Sequence, residues 1–151
     1  MKTNTLKFVI ACAVAGAFQI TTPVLAQAPE KPLAAAAKEP GAKVTPSGLV
    51  ILMVKEGNGT QPTASSTVRV HYRGMFPDGR EFDSSYSRGE PIEFPLTGVI
   101  KCWTEGVALM KVGGAAKLTC PSSIAYGARG AGGTIPPNAT LVFEVALLGV
   151  R

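Results

Sequence analysis

The sequence predicts an α+β fold in which an antiparallel sheet packs on one short helix. Two observations carry this. From Leu49 onward the chain runs in short, β-branched segments, several alternating apolar and polar with period two, separated by Gly, Pro, Asn and Asp. Among them, Val99 to Met110 has the periodicity of a helix. Ile100, Trp103, Val107 and Met110 recur at one-face spacing, and Gly113-Gly114 follows as a stop. A short amphipathic helix among strands finds its partner on the concave face of a curved sheet. The only tryptophan then lies where helix and sheet meet. On these residues alone, a plain core position explains Trp103 equally well.

Taken in order, residues 1–26 read as a secretory signal. Lys2 and Lys7 give a basic start, Phe8 to Phe18 is unbroken apolar chain, and Val24-Leu25-Ala26 offers small residues for cleavage. Ala26-Gln27-Ala28 is a second possible site. The apolar run is shorter than the roughly 20 residues that span a bilayer. Val9-Ile10-Ala11-Cys12 faintly resembles a lipoprotein box, but too little apolar run precedes it. The expected destination is the periplasm or beyond, with no membrane association after signal removal. Loss of Lys2 and Lys7 takes 15 basic residues to 13, against 10 acidic. The charges are scattered, so binding of nucleic acid through a basic patch is not expected.

Residues 27–46 read as a disordered tail or linker. Pro29, Pro32, Pro40 and Pro46 interrupt a stretch of mostly Ala, Lys and Glu with one Leu. Such a stretch cannot bury enough surface to offset chain entropy. Leu33 to Lys38 could turn helical, but is too short to persist alone.

Residues 47–151 form the expected folded domain. Leu49 to Val54 is an apolar strand ended by Glu56-Gly57-Asn58-Gly59. Thr67 to Phe76 places Val68, Val70 and Tyr72 on one face and Arg69, His71 and Arg73 on the other. Pro77-Asp78-Gly79 is a turn, since Pro presets φ and Gly accepts positive φ. Arg80 to Asp83 returns as a strand. Pro91 to Leu96, Ala115 to Cys120 and Ala139 to Val150 complete the set.

Several chemistries find no support. His71 is the only histidine and sits on a polar strand face, as a solvated strand residue would. There is no Gly-x-Ser-x-Gly elbow and no Gly-Lys-Ser/Thr phosphate loop. The run Gly127 to Gly133 misses the dinucleotide spacing, because Ile135 stands where a third Gly belongs. Two mature cysteines and one histidine cannot complete a four-ligand zinc site. No metal and no cofactor is expected. What remains is a set of aromatics, Tyr72, Phe82, Phe94, Trp103, Tyr126 and Phe143, on different elements, with Asp83 and Arg88 beside Phe82.

Three motifs carry a resemblance. Arg80-Glu81-Phe82-Asp83-Ser84-Ser85, Val99-Ile100-x-x-Trp103-x-Glu105-Gly106, and Ala125-Tyr126-Gly127 followed by Ile135-Pro136-Pro137-Asn138-Ala139-Thr140-Leu141-Val142-Phe143-Glu144 are similar to the FKBP-type peptidyl-prolyl cis-trans isomerases. These proteins bind tacrolimus and rapamycin. The resemblance covers about Ser47 to the C-terminus. It implies five or six antiparallel strands around one short helix, and a monomer acting on proline-containing polypeptides, with tacrolimus and rapamycin as inhibitors.

The resemblance also assigns roles. Trp103 would floor a pocket for the proline ring, with Tyr72, Phe82, Phe94, Val99, Ile100 and Phe143 as walls. The Ile100 N–H and the Tyr126 hydroxyl would donate to carbonyls of the bound peptide. Asp83 would sit at the edge, held by Tyr72 and paired with Arg88. Arg88, Ile92 and Ile135 would complete the contacts. Ile92 stands where many animal members have an aromatic, Ala131 where they often have His, and Thr134 where Ile is common, so rim preferences are expected to differ. Neither an inserted chaperone domain between Ala131 and Pro136 nor a long dimerisation helix is seen.

Cys102 and Cys120 are expected to form a disulfide. Cys12 leaves with the signal, so two cysteines remain in a compartment where disulfides persist. They stand at the helix start and at the end of the strand that follows. Family members usually have Gly or Pro at the first position and an apolar residue at the second. Two buried free thiols are the alternative. Two other functional readings stay open at this point: a non-catalytic or weakly catalytic module that binds proline segments as a chaperone, and a basic domain that binds an anionic polymer.

Overall fold

A computed structural model of the chain describes residues 31–151. The sheet is assembled on Thr67–Met75, strand β3, whose alternation buries Val68, Val70, Tyr72 and Gly74 on one face. Along one edge, β3 pairs with Leu141–Val150, from Val68 opposite Val150 to Met75 opposite Val142. Two short strands share its other edge. Ile92–Pro95 pairs with Thr67 to Val70, and Glu81–Ser84 pairs with Arg73 to Met75. Beyond Leu141–Val150 come Ala115–Cys120, then Val50–Lys55, then the two residues Lys43–Val44, every pairing antiparallel. In chain order the strands are β1 (Lys43–Val44), β2 (Val50–Lys55), β3, β4 (Glu81–Ser84), β5 (Ile92–Pro95), β6 (Ala115–Cys120) and β7 (Leu141–Val150).

Register shifts at Met53/Lys55, Arg69/Val70 and Gly74/Met75 bend and twist the strands. The curved face receives a helix at Lys101–Val107, here α3, within the Val99 to Met110 stretch that the periodicity marks but shorter, with Ile100 as its N-cap and Met110 beyond its end. Trp103, Val107 and Met110 are buried against the sheet. Burying each such side chain stabilises by about 1.5–3 kcal/mol, and a seven-residue helix needs that support. Gly106 makes the contact close. A Cβ there would stand 2.9 Å from both terminal carbons of Leu118 on β6, so only glycine lets the helix backbone lie on that side chain.

Two expectations need adjustment, and one element was not anticipated. The segment 27–46 is not a featureless tail over its described part. Lys31–Ala37 forms a helix, α1, and Lys43–Val44 adds β1 to the edge of β2. Counting what the segment could bury by itself left out the outer face of β2 and β6, which supplies a partner. Lys117 points away from α3, and its ammonium meets Glu39 at 2.7 Å. Ala36 is buried, and so are Val50 and Thr119, which lie outside the central core. Residues 1–30, including the expected signal and the start of the tail, lie outside the described residues.

The strand count among the described residues is seven rather than five or six, because β1 joins the six anticipated. Finally, Ser85–Arg88 forms an unanticipated helical turn, α2. Ser84 Oγ caps it, accepting from the Tyr86 N–H at 3.1 Å and the Ser87 N–H at 3.4 Å.

Removing residues 27–44 should lower stability without touching the concave face. We expect a chain beginning at Thr45 to unfold at lower urea than one beginning at Gln27, by about 1–3 kcal/mol from the lost apolar cover. Equal midpoints would show that α1 and β1 contribute nothing to the fold.

Candidate functional site

The concave face opens into a cavity of about 460 Å³ at the α3 start. Tyr72 comes from β3, Phe82 and Asp83 from β4, Phe94 from β5 and Phe143 from β7. Gly98, Val99 and Ile100 come from the turn before α3, Trp103 from α3, and Tyr126 from the loop after β6. The inward positions of each strand fall on one side of the sheet, so residues far apart in sequence meet here.

Trp103 is the floor. Tyr72, Phe94 and Phe143 each stand nearly perpendicular to it, at 5.2, 5.5 and 5.5 Å between ring centroids. Edge-to-face pairs of this kind contribute about 0.5–1.5 kcal/mol each beyond burial. Phe82 extends the wall, edge-on to Phe143 at 5.7 Å. Gly74 makes room for both. A Cβ at Gly74 would lie 2.7 Å from the Phe82 ring and 3.0 Å from Phe143. The indole Nε1 of Trp103 is buried without a hydrogen-bond partner among the described residues.

The polar edge is a closed network. The Tyr72 hydroxyl donates to Asp83 Oδ2. Arg88 Nη1 donates to Asp83 Oδ1 at 2.7 Å, and its Nη2 donates to the Tyr72 hydroxyl at 3.0 Å. The Ser84 N–H adds a bond to Asp83 Oδ1 at 2.9 Å. Partial burial pushes the Asp83 carboxyl up, but the bonds from Tyr72 and Arg88 outweigh it and hold the group below its ordinary value. Burial, followed by the bond to Asp83, raises the Tyr72 phenol. Behind the network, buried Ser85 Oγ accepts from the Tyr72 N–H at 2.8 Å and meets His71 Nδ1 at 2.9 Å. The ring of His71 stacks on Tyr86 at 4.5 Å. His71 thus faces away from the cavity as a strand residue.

Two further lining residues, Ile100 and Tyr126, are placed by the backbone around them. Ile100 is the N-cap of α3, in extended conformation, and its carbonyl accepts from the Trp103 and Thr104 N–H groups. Tyr126 is held by its loop. The Gly127 N–H donates to the Ser122 carbonyl at 2.8 Å, the Gly130 N–H to the Tyr126 carbonyl at 3.2 Å and the Asn138 N–H to the Gly127 carbonyl at 2.8 Å. Gly127 has φ +59°, which suits glycine. Cys102 and Cys120 are joined as a disulfide, with Cα atoms 5.9 Å apart. Among the described residues, no cluster of three or more His, Cys, Asp or Glu could hold a metal ion.

Three residues assigned to the pocket do not line it. Arg88 acts through Asp83 and Tyr72. Ile92 lies opposite Val70 on β5 and packs against the core beside the cavity. Ile135 is buried under its loop, where it bridges Ala131. Gly98, which lines the cavity, and Gly74 and Ser85, which shape it, were missed. A glycine inside a strand is a signal of close approach, and Gly74 is one. Nothing local marked Ser85.

The model of the FKBP-type peptidyl-prolyl cis-trans isomerase family matches residues 58–148. The chain belongs to this family. The FKBP-type 22 kDa peptidyl-prolyl cis-trans isomerase of Escherichia coli is 52% identical over 114 residues, 76% of this chain and 55% of that protein. FK506-binding protein 1 of Dictyostelium discoideum is 55% identical over 103 residues, 67% of this chain and 96% of that protein. The crystal structure of FkpA from Escherichia coli superposes with a TM-score of 0.76 at 50% identity, covering 79% of this chain and 55% of that one. The chain spans about half the length of the curated bacterial relatives it matches. Its FKBP-type fold and aromatic cavity lie within the shared part.

The charges of this FKBP-type site should be constant near neutrality. The lowered Asp83 carboxyl stabilises the fold above its unfolded value of about 3.9, and that stability is lost as pH falls through the folded value. The raised Tyr72 phenol stabilises below its unfolded value of about 10, and that contribution is lost as pH rises through the folded value. The urea midpoint should therefore carry an acid drop that shrinks in Asp83→Asn. An equal drop in both proteins would show that Asp83 is not held as described. Gly74→Ala should lower stability by about 1–3 kcal/mol through overpacking and displace Phe82, checked by urea unfolding and a crystal structure. An unmoved Phe82 ring would refute the close approach.

Proposed function

We propose that this chain accelerates cis–trans rotation of X–Pro bonds in polypeptides by holding the twisted amide in the Trp103 cavity. Membership of the isomerase family supports the activity. The observation that supports the mechanism is an aromatic box lined also by Ile100 and Tyr126, whose N–H and hydroxyl we assign as donors to the peptide.

The barrier to amide rotation is about 18–20 kcal/mol, and an X–Pro bond isomerises in roughly tens to hundreds of seconds. Reaching milliseconds needs about 10⁴–10⁵, or roughly 5–7 kcal/mol. No covalent chemistry is required. A planar amide carries resonance charge on oxygen that twisting removes, so an apolar pocket disfavours the planar form relative to the twisted one. Donors from Ile100 and Tyr126 then hold the chain in the twisted shape. Asp83 is already engaged by Tyr72 and Arg88, so its role is to fix the Tyr72 ring. General base catalysis has no proton to take, since the reaction breaks no bond to hydrogen.

We assign Tyr72, Phe82, Phe94, Val99, Ile100, Trp103, Tyr126 and Phe143 to substrate contact, and Asp83 and Arg88 to their support. The basic start and apolar run of residues 1–26 support export, so the clients would be exported proteins carrying proline. Tacrolimus and rapamycin would occupy the same cavity, and the protein would act as a monomer.

An isomer-exchange assay on a short Leu–Pro peptide tests this directly. The purified protein should accelerate exchange, and tacrolimus should abolish the acceleration. Phe82→Ala and Tyr126→Phe should each lower kcat/KM by about tenfold or more with little loss of fold. Folded protein that accelerates no X–Pro peptide, or three-way equality of wild type and both variants, would overturn the assignment.

A further inference from the structure

The disulfide takes no part in the reaction proposed above, yet it lies directly behind the site. Cys102 and Cys120 are both fully buried, and their bond ties the first turn of α3 to the last residue of β6. Cys102 stands between Ile100 and Trp103. Those two line the cavity and Cys102 does not. The first turn is also held by packing, with Trp103 edge-on to Tyr72, Phe94 and Phe143, and by the Thr104 hydroxyl donating to the Leu96 carbonyl at 2.6 Å, but its own capping adds nothing. Ile100 as N-cap offers no side-chain acceptor to the helix, and no acidic residue stands in the first turn. The second turn is held differently, by Gly106 lying against Leu118 two residues before Cys120 on β6. On β6 the helix is thus fixed at two points, by packing at the far turn and by sulfur at the near one, and the crosslink is the covalent tie between helix and sheet. Without the sulfur tie, the first turn is left to ring packing and the Thr104 bond, which a small tilt about the Gly106 contact can loosen, moving Ile100 and the indole.

We propose that the Cys102–Cys120 crosslink is a positioning element of the isomerase site, registering Ile100 and Trp103 against the sheet. This rests on the isomerase reading of the cavity. Neither sulfur touches the peptide. Their effect passes through the placement of the two residues that do, and a displacement of about 1 Å can cost about a hundredfold in rate.

The test uses the wild-type protein. Oxidised protein is exposed to a phosphine reductant, and samples are alkylated with iodoacetamide over time. Each sample is measured for thiol content, circular dichroism, Trp103 emission, and kcat and KM on a Leu–Pro peptide. The double variant Cys102→Ala/Cys120→Val is measured alongside, at a temperature where it is folded. Folded protein without the crosslink should show a shifted Trp103 emission and a kcat/KM lower by about tenfold. The fall should be mainly in kcat, because the Ile100 donor acts most strongly on the twisted amide. A lower urea midpoint with kcat/KM within about twofold of the oxidised protein and unchanged emission would overturn the proposal, leaving the bond as a structural staple.

If the variant does not fold, the reduction series decides. Activity falling in step with thiol content while circular dichroism persists supports the proposal, and activity lost only together with circular dichroism overturns it. An oxidised wild type with no activity would instead remove the isomerase reading, and this inference with it.

Discussion

The structure depends on how one indole is held. Trp103 is supplied by a seven-residue helix that would not persist in water. It is fixed by three rings from three strands, Tyr72, Phe94 and Phe143, each meeting it edge-on. Helix and sheet therefore make each other possible. The sheet gives α3 a surface on which Trp103, Val107 and Met110 disappear from water, and α3 fills the concavity that the bulged strands create. Gly74 and Gly106 serve the same constraint at opposite ends. One leaves space for the Phe82 and Phe143 rings, and the other lets the helix come close to β6.

Around this floor the polar groups divide into two kinds. Asp83, Arg88 and the Tyr72 hydroxyl satisfy one another in a closed triangle, with a backbone N–H from Ser84 completing the carboxylate's shell. A carboxylate so engaged is held in its charged form and serves to lock a wall. Ile100 and Tyr126, which line the cavity without belonging to this triangle, are instead placed by an N-cap and by a loop stapled through Gly127, Gly130 and Asn138. The cavity thus combines apolar walls with a polar edge whose groups are already engaged with one another. That suits a reaction in which only a torsion changes.

Much of this was legible before any coordinates. Period-two alternation revealed which face of β3 carries Val68, Val70 and Tyr72. The spacing of Ile100, Trp103, Val107 and Met110 located the helix, and Phe82, Asp83 and Tyr126, which the family resemblance singled out, line one cavity. Both cysteines were read correctly from their parity and their positions. The residues misread share a cause: each depends on a partner distant in sequence. The helix of Lys31–Ala37 exists because β2 and β6 offer an outer face with Lys117 waiting for Glu39. Ile92 and Ile135 fell beside and beneath the cavity because the pairing with Val70 and the Ala131 bridge set their direction. Ser85 supports Tyr72 across 13 residues of chain, a distance over which local pattern carries no information.

The central claim is that a proline ring rests on Trp103 while its amide twists. It is tested most directly by nuclear magnetic resonance of a Leu–Pro peptide in exchange with the protein. The account predicts intermolecular Overhauser contacts between the proline ring protons and the Trp103 indole, with upfield ring-current shifts of those protons. Catalysed exchange in which the proline contacts no proton of Trp103 would contradict it.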